Sequence, residues 1–232
     1  MNKKITVTDL FNAKIHFGHT KKFVSPKMVK YVHEINNKIS IINLDLTLKL
    51  LTQSLNFIEN IIKNNGTILF VGTKRQASKI IKNYSEKISM PYVENRWLGG
   101  LLTNYKTIKN SINKLKELEA NIENNNFKHL TKKEMLNTNK QLNKLKIKFN
   151  GIKNMENLPD ALFIIDVNYE KTALLEATKL KIPVIGIVDT NSDPDKIDYI
   201  IPGNDDSTDS INFFLNIITE QIINIKKIKE GN

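Results

Sequence analysis

Asn64-Asn65-Gly66-Thr67-Ile68-Leu69-Phe70-Val71-Gly72-Thr73-Lys74-Arg75-Gln76-Ala77 reads as a strand, a turn and the start of a helix. Four apolar residues without polar alternation, entered through Gly66 and left through Gly72, predict a strand buried on both faces, as in a parallel sheet. Ala77, Ile80, Ile81 and Tyr84 then recur at helical spacing. Such a unit gathers Lys74, Arg75 and the first free helical N–H groups at one spot, which favours anions. The spacing fits neither a P-loop nor a dinucleotide fingerprint. Two adjacent cations with no acid nearby in sequence suit an RNA phosphate better than a nucleotide; the bland alternative is a solvated helix start.

Downstream the same grammar repeats. Ala161–Ile165 is a strand ending in Asp166, Lys171–Leu180 a helix, and Pro183–Val188 a strand ending in Asp189. Tyr199–Ile201 is a short strand running into Pro202-Gly203-Asn204-Asp205-Asp206, and Ser207–Lys226 a closing helix. Pro91-Tyr92-Val93 is a short extended piece. Strands alternating with helices predict an α/β fold, a parallel sheet with right-handed crossovers.

Upstream, Thr8–Ala13 reads as a short helix capped by Thr8 or Asp9. His16-Phe17-Gly18-His19-Thr20-Lys21-Lys22 is a basic loop. Lys30–Ile35 and Ile39–Asn43, separated by Asn36-Asn37-Lys38, predict a β-hairpin. Asp45–Lys63 is an amphipathic helix, with Leu48, Leu51, Leu55, Ile58 and Ile62 on one stripe.

Thr103–Phe149 departs from the α/β pattern. Ile108, Ile112, Leu115, Leu118 and Ile122 form one helical stripe, and Asn124-Asn125-Asn126 breaks it. Thr131-Lys132-Lys133-Glu134 fits a capping box for a second helix carrying Met135, Leu142, Leu145 and Phe149. An antiparallel helical hairpin, inserted between two halves of the sheet, is expected. The division is then 1–102, first half of the α/β domain with the basic loop and β-hairpin; 103–150, a protruding helical hairpin; and 151–232, the second half. Lys106, Lys109, Lys114, Lys116, Lys140, Lys144, Lys146 and Lys148 decorate the insert. So narrow a hairpin leans on a partner.

The chain has 232 residues and a net charge of +11. Residues 1–153 hold 28 basic against 10 acidic side chains, and 154–232 hold 7 against 14. This asymmetry predicts a basic surface meeting a polyanion. Lysine dominates, 33 to 2 arginines, beside abundant Asn and Ile, as an AT-rich genome would give. Zero cysteines exclude disulfides, thiolate metal sites and cysteine nucleophiles. No apolar run approaches ~18 residues, so no membrane partner is expected. Met1-Asn2-Lys3-Lys4-Ile5 has no long apolar segment behind it, so no secretory signal is expected.

The remaining motifs stay two-sided. Asp166, Asp189 and Asp205 end successive strands, where open α/β sheets bind ligands, so a nucleotide- or sugar-phosphate-binding enzyme using Asp166 and Asp189 with Mg²⁺ is the alternative class; turn capping is the simpler reading. His16 and His19 lack a Cys or a third spaced ligand, and no metal site is assigned. Arg96-Trp97-Leu98-Gly99-Gly100 holds the only tryptophan, a stacking group for a base or a core anchor.

Taken together these pieces resemble the bacterial-type small-subunit ribosomal proteins of the RpsB family. The resemblance rests on His16-Phe17-Gly18-His19, Pro26-Lys27-Met28, Leu69–Ala77, Arg96–Gly100 and Leu102-Thr103-Asn104. It continues through Leu130–Glu134, Gly151-Ile152-Lys153, Leu158–Ala161, Ile187–Asn191 and Ile201–Asp206, covering nearly the whole chain in order. It implies a flavodoxin-like (Rossmann-like) sheet with a coiled-coil insertion, and a structural, non-catalytic role without a cofactor. It also implies small-subunit rRNA bound between head and body, neighbouring ribosomal proteins, and docking of the mRNA-binding protein S-one. The setting it implies is a cytoplasmic ribosome, in a reduced-genome bacterium, or an organellar one. His16, His19, Lys21, Lys22, Lys27, Lys30, Lys74, Arg75, Arg96, Trp97, Lys106 and Lys109 are the expected RNA-binding residues. Where the family usually has Thr-Arg-Arg-Trp-Asn before the Pro, this chain has Thr20-Lys21-Lys22-Phe23-Val24-Ser25, and Lys cannot make the bidentate phosphate contact of Arg.

Overall fold

The computed structural model describes residues 5–124 and 132–230. In chain order the elements are α1 (Val7–Asn12), β1 (Phe17–Thr20), β2 (Val32–Asn36), β3 (Ile39–Ile42), α2 (Leu44–Lys63), β4 (Ile68–Val71), α3 (Arg75–Lys87) and β5 (Tyr92–Val93). They continue with α4 (Tyr105–Glu123), α5 (Lys132–Phe149), β6 (Ala161–Ile165), α6 (Lys171–Leu180), β7 (Val184–Val188), β8 (Tyr199–Pro202) and α7 (Thr208–Glu230).

The main sheet has five parallel strands in the order β5-β4-β6-β7-β8. Numbered by their own sequence this is 2-1-3-4-5, the flavodoxin-like order, whose switch point lies between β4 and β6. The pleat of each strand splits its residues between two layers. Ile68 and Phe70 of β4 and Phe163 of β6 face α1, α2, α3 and α7. Leu69 and Val71, with Leu162 and Ile164, face α6, Trp97 and the bases of α4 and α5. Both faces are covered, which is why the strands read as unbroken apolar runs.

The hairpin forms as expected. Asn37 and Lys38 connect β2 to β3 with φ of 47° and 69°, the paired left-handed conformations of a tight hairpin turn. The basic loop before it holds more structure than expected: β1 joins as a third strand, in the order β1-β3-β2. A single 3₁₀ turn, Lys21–Phe23, follows it. The first helix is capped by Thr6, two residues before the earlier of the expected caps. Thr6 accepts from the N–H of Asp9, and the Asp9 carboxylate accepts from the N–H of Thr6 at 3.0 Å.

Of the expected insert, both helices are present. Ile112 and Leu115 of α4 and Leu142 and Phe149 of α5 are buried in the same cluster as Val71, Ile164 and Trp97. The pair therefore leans on the α/β core. Glu119 of α4 bridges to Lys146 of α5 at 3.3 Å and to Lys153 beyond it. The expected cap at Thr131, most of the Asn124-Asn125-Asn126 break and Met1 to Lys4 lie outside the described residues. Among the described residues no helix is long and apolar enough to cross a membrane.

Candidate nucleic-acid interface

The carboxyl ends of the parallel strands bring together His19, Lys27, Lys74 and Arg75 with Asp166, Asp189 and Asp205. At the switch point, β4 passes into α3 through Gly72. A Cβ there would lie 2.3 Å from Cδ1 of Ile81, so only glycine allows the helix to approach. The next residues turn inward. The N–H of Thr73 donates to Glu170 at 2.7 Å, and Lys74 Nζ lies 2.7 Å from Asp166, 3.1 Å from Asp205 and 2.5 Å from Asp206. Burial alone would lower the pKa of this ammonium, but the surrounding carboxylates outweigh it and hold the pKa well above its ordinary value. Burial, then the neighbouring Asp166 and Asp189, push the Asp205 carboxyl upward against the pull of Lys74. The crevice in which this fold takes ligands is thus filled by the protein's own ion cage.

This corrects one expectation. With no acid near it in sequence, Lys74 is expected to be free for phosphate; three acids from the ends of β6 and β8 reach it in space. Arg75, the next residue, is exposed and forms no ion pair among the described residues.

The N-terminal segment meets the same edge at β7. Gly18 lies against Thr190, where a Cβ would be 2.6 Å from its Cγ2. The N–H of His19 donates to Thr190 Oγ1 at 2.9 Å. Its ring nitrogens lie 3.0 Å from Asp189 and 3.5 Å from Asp206. The hydrogen bond to Asp189 raises the imidazole pKa against the effect of burial. One donor atom from each of His19, Asp189 and Asp206 lies within 4.8 Å of the others. One imidazole and two carboxylates are a donor set that suits a divalent cation. The sequence showed no third ligand for the histidines because Asp189 and Asp206 come from distant strand ends.

Two further candidates are largely covered by the fold. His16 is 7% exposed, stacked on Phe11 at 4.4 Å and against Phe17 at 4.1 Å, and burial lowers its pKa. It is a packing group. Trp97 is 8% exposed and donates Nε1–H to Glu176 at 3.0 Å, which fits the core-anchor alternative. Glu176 was not singled out from the sequence. It also accepts the N–H groups of Gly100, Leu102 and Thr103 and the Thr103 hydroxyl. No local signal marks a helix carboxylate that ties down a loop more than 70 residues earlier.

The remaining candidates divide by whether the protein itself uses the charge. Lys27 bridges to Asp193 at 2.8 Å and to Asp195, and Lys109 donates to the Glu156 carbonyl at 3.1 Å. Lys30 sits 5.0 Å over the Tyr31 ring. Lys21, Lys22, Arg96 and Lys106 are exposed and form no ion pair among the described residues. Arg96 follows β5 and Arg75 follows β4, and the Lys21–Lys22 turn is tied to the end of β7 by the Ser25 N–H to Thr190 carbonyl bond, 2.8 Å. Exposed cations therefore flank a central cage of carboxyl groups held by Lys74 and His19 at the carboxyl ends of the strands.

A family model described as Ribosomal protein S2 matches residues 10–224. A relative from Hahella chejuensis, the small ribosomal subunit protein uS2, is 48% identical over 229 residues, 99% of this chain and 90% of its own. The protein of the same name from Marinobacter nauticus is 50% identical over 217 residues, 94% of this chain and 87% of its own.

Proposed function

Because the chain belongs to the ribosomal protein S2 family of the small ribosomal subunit, we propose that it binds small-subunit rRNA through the cations its own fold leaves unpaired. The family is structural and not enzymatic, so Asp166 and Asp189 are not read as Mg²⁺ carboxylates of a catalyst. Asp166 is engaged by Lys74 and Asp189 by His19.

One observation carries the RNA reading. Lys21, Lys22, Arg75, Arg96 and Lys106 remain exposed without acidic partners among the described residues, while Lys27 and Lys74 do not. Exposed, unpaired cations release counterions when they meet phosphate, which supplies most of the affinity of such interfaces. The site in the particle is between head and body in a cytoplasmic ribosome, beside neighbouring small-subunit proteins. There the protein supports docking of the mRNA-binding ribosomal protein S-one. In this reading residues 1–102 and 151–232 form the scaffold, and the pair of helices within 103–150 extends the contact surface.

Titrating the purified protein into small-subunit rRNA at several salt concentrations tests the proposal. The expected log–log slope is steep, about −0.7 to −0.9 for each phosphate neutralised, so five such cations give about −4. A slope near zero contradicts it.

A further inference from the structure

The helix α5 carries cations that its folding does not use. Lys133, Lys140, Lys144 and Lys148 are spaced seven, four and four residues apart. At 3.6 residues per turn they share one side of the helix, opposite Leu142, Leu145 and Phe149. The four lysines are exposed, whereas Leu142 and Phe149 are buried and Leu145 packs against the core. With a rise of 1.5 Å per residue, Lys140, Lys144 and Lys148 follow one another at about 6 Å, and the row runs about 22 Å.

The two sides of α5 treat charge differently. Lys146, which faces α4, is paired with Glu119. The outward lysines form no ion pair among the described residues. The only acid on the helix, Glu134, lies in its first turn. Like charges four residues apart weaken a helix, so the row works against the element that carries it. Exposed Leu136 and Ile147 lie beside the row.

We propose that this row grips the phosphate backbone of an RNA strand, as a contact apart from Lys21, Lys22, Arg75 and Arg96. It rests on the rRNA reading above and assigns part of that contact to α5. Charge decides the occupant: a row of four cations without an interleaved acid, on a chain of net charge +11, is complementary to phosphate.

The test uses the full chain with Lys133, Lys140, Lys144 and Lys148 all changed to Gln, which has a helix propensity close to that of Lys. Circular dichroism confirms that the helix persists, and an rRNA transcript of the small subunit is the probe. The salt slope is expected to become shallower by about 3, at 0.7 to 0.9 per lost phosphate contact. The corresponding Lys→Arg variant is expected to keep the wild-type slope. A Gln variant with an unchanged slope, beside a steep wild type, overturns the proposal and leaves the rRNA reading intact. A flat wild type overturns that reading itself. Unchanged RNA binding in the Gln variant, with loss of co-purifying subunit proteins from a Leu136→Asn, Ile147→Asn variant, makes this a protein-docking face and also overturns the proposal.

Discussion

Lys74 sits beside Arg75 in the chain, yet its ammonium meets carboxylates 92 and 131 residues away. Charge type is legible in a sequence; whether the charge is available is not, because its partners arrive through the fold. The two residues should therefore respond oppositely. Lys74→Met leaves buried carboxylates without a counter-charge and is expected to cost about 3 kcal/mol in urea unfolding. Arg75→Gln is expected to stay within about 0.5 kcal/mol. Glu176 shows the same limit from the acidic side. Burial opposes its ionisation, but hydrogen bonds from Trp97, Thr103, Gly100 and Leu102 hold its carboxyl below the ordinary range. Glu176→Gln is expected to cost about 2 kcal/mol, since it removes charge from a site built of donors. A lowered folded-state pKa gives stability that is complete above the unfolded value, about 4.3, and is lost as pH falls through the folded value. The gap between wild type and Glu176→Gln should thus narrow on acidification. A constant gap, followed by Trp97 fluorescence, would refute this account of the loop.

Elements whose pattern is local were legible. The strand β4, the helix α6 and the turn at Asn37-Lys38 lie where apolar runs, helical stripes and turn residues place them. The strand β1 was not legible. It is four residues long, contains Gly18 and shows a burial pattern without clean alternation, so nothing in its sequence distinguishes it from a loop. Its order comes from pairing with β3 and from the contact of Gly18 with Thr190. The turn itself offers a test. Lys38 holds φ at 69°, a conformation that costs a side-chain-bearing residue about 1 kcal/mol, part of which glycine gives back as chain entropy. Lys38→Gly is expected to stabilise the protein by about 0.5 kcal/mol, read as a raised urea midpoint at unchanged m-value. A lowered midpoint would mean that the lysine side chain has a role beyond the turn.

At the scale of the molecule, a flavodoxin-like scaffold keeps its ligand crevice shut with Lys74, Asp166 and Asp205 and displays other cations around it. Phe70 and Phe163, packed 5.3 Å apart between centroids at the sheet centre, hold that scaffold; Phe163→Ala is expected to cost about 3 to 5 kcal/mol. The fold class and the family resemblance were both visible in the sequence. The division of cations into caged and free was not, since it depends on which strand ends become neighbours. The most direct measurement is subunit incorporation in cells expressing a tagged copy beside the untagged wild type, with the tagged protein quantified in small subunits separated on a sucrose gradient. Tagged Lys21→Gln, Lys22→Gln, Arg75→Gln, Arg96→Gln protein, folded to the same urea midpoint as wild type, is expected to be depleted from the particle roughly tenfold, a loss of about 1.4 kcal/mol of binding. Incorporation equal to that of a tagged wild-type copy would contradict the claim that the unpaired cations make the contact.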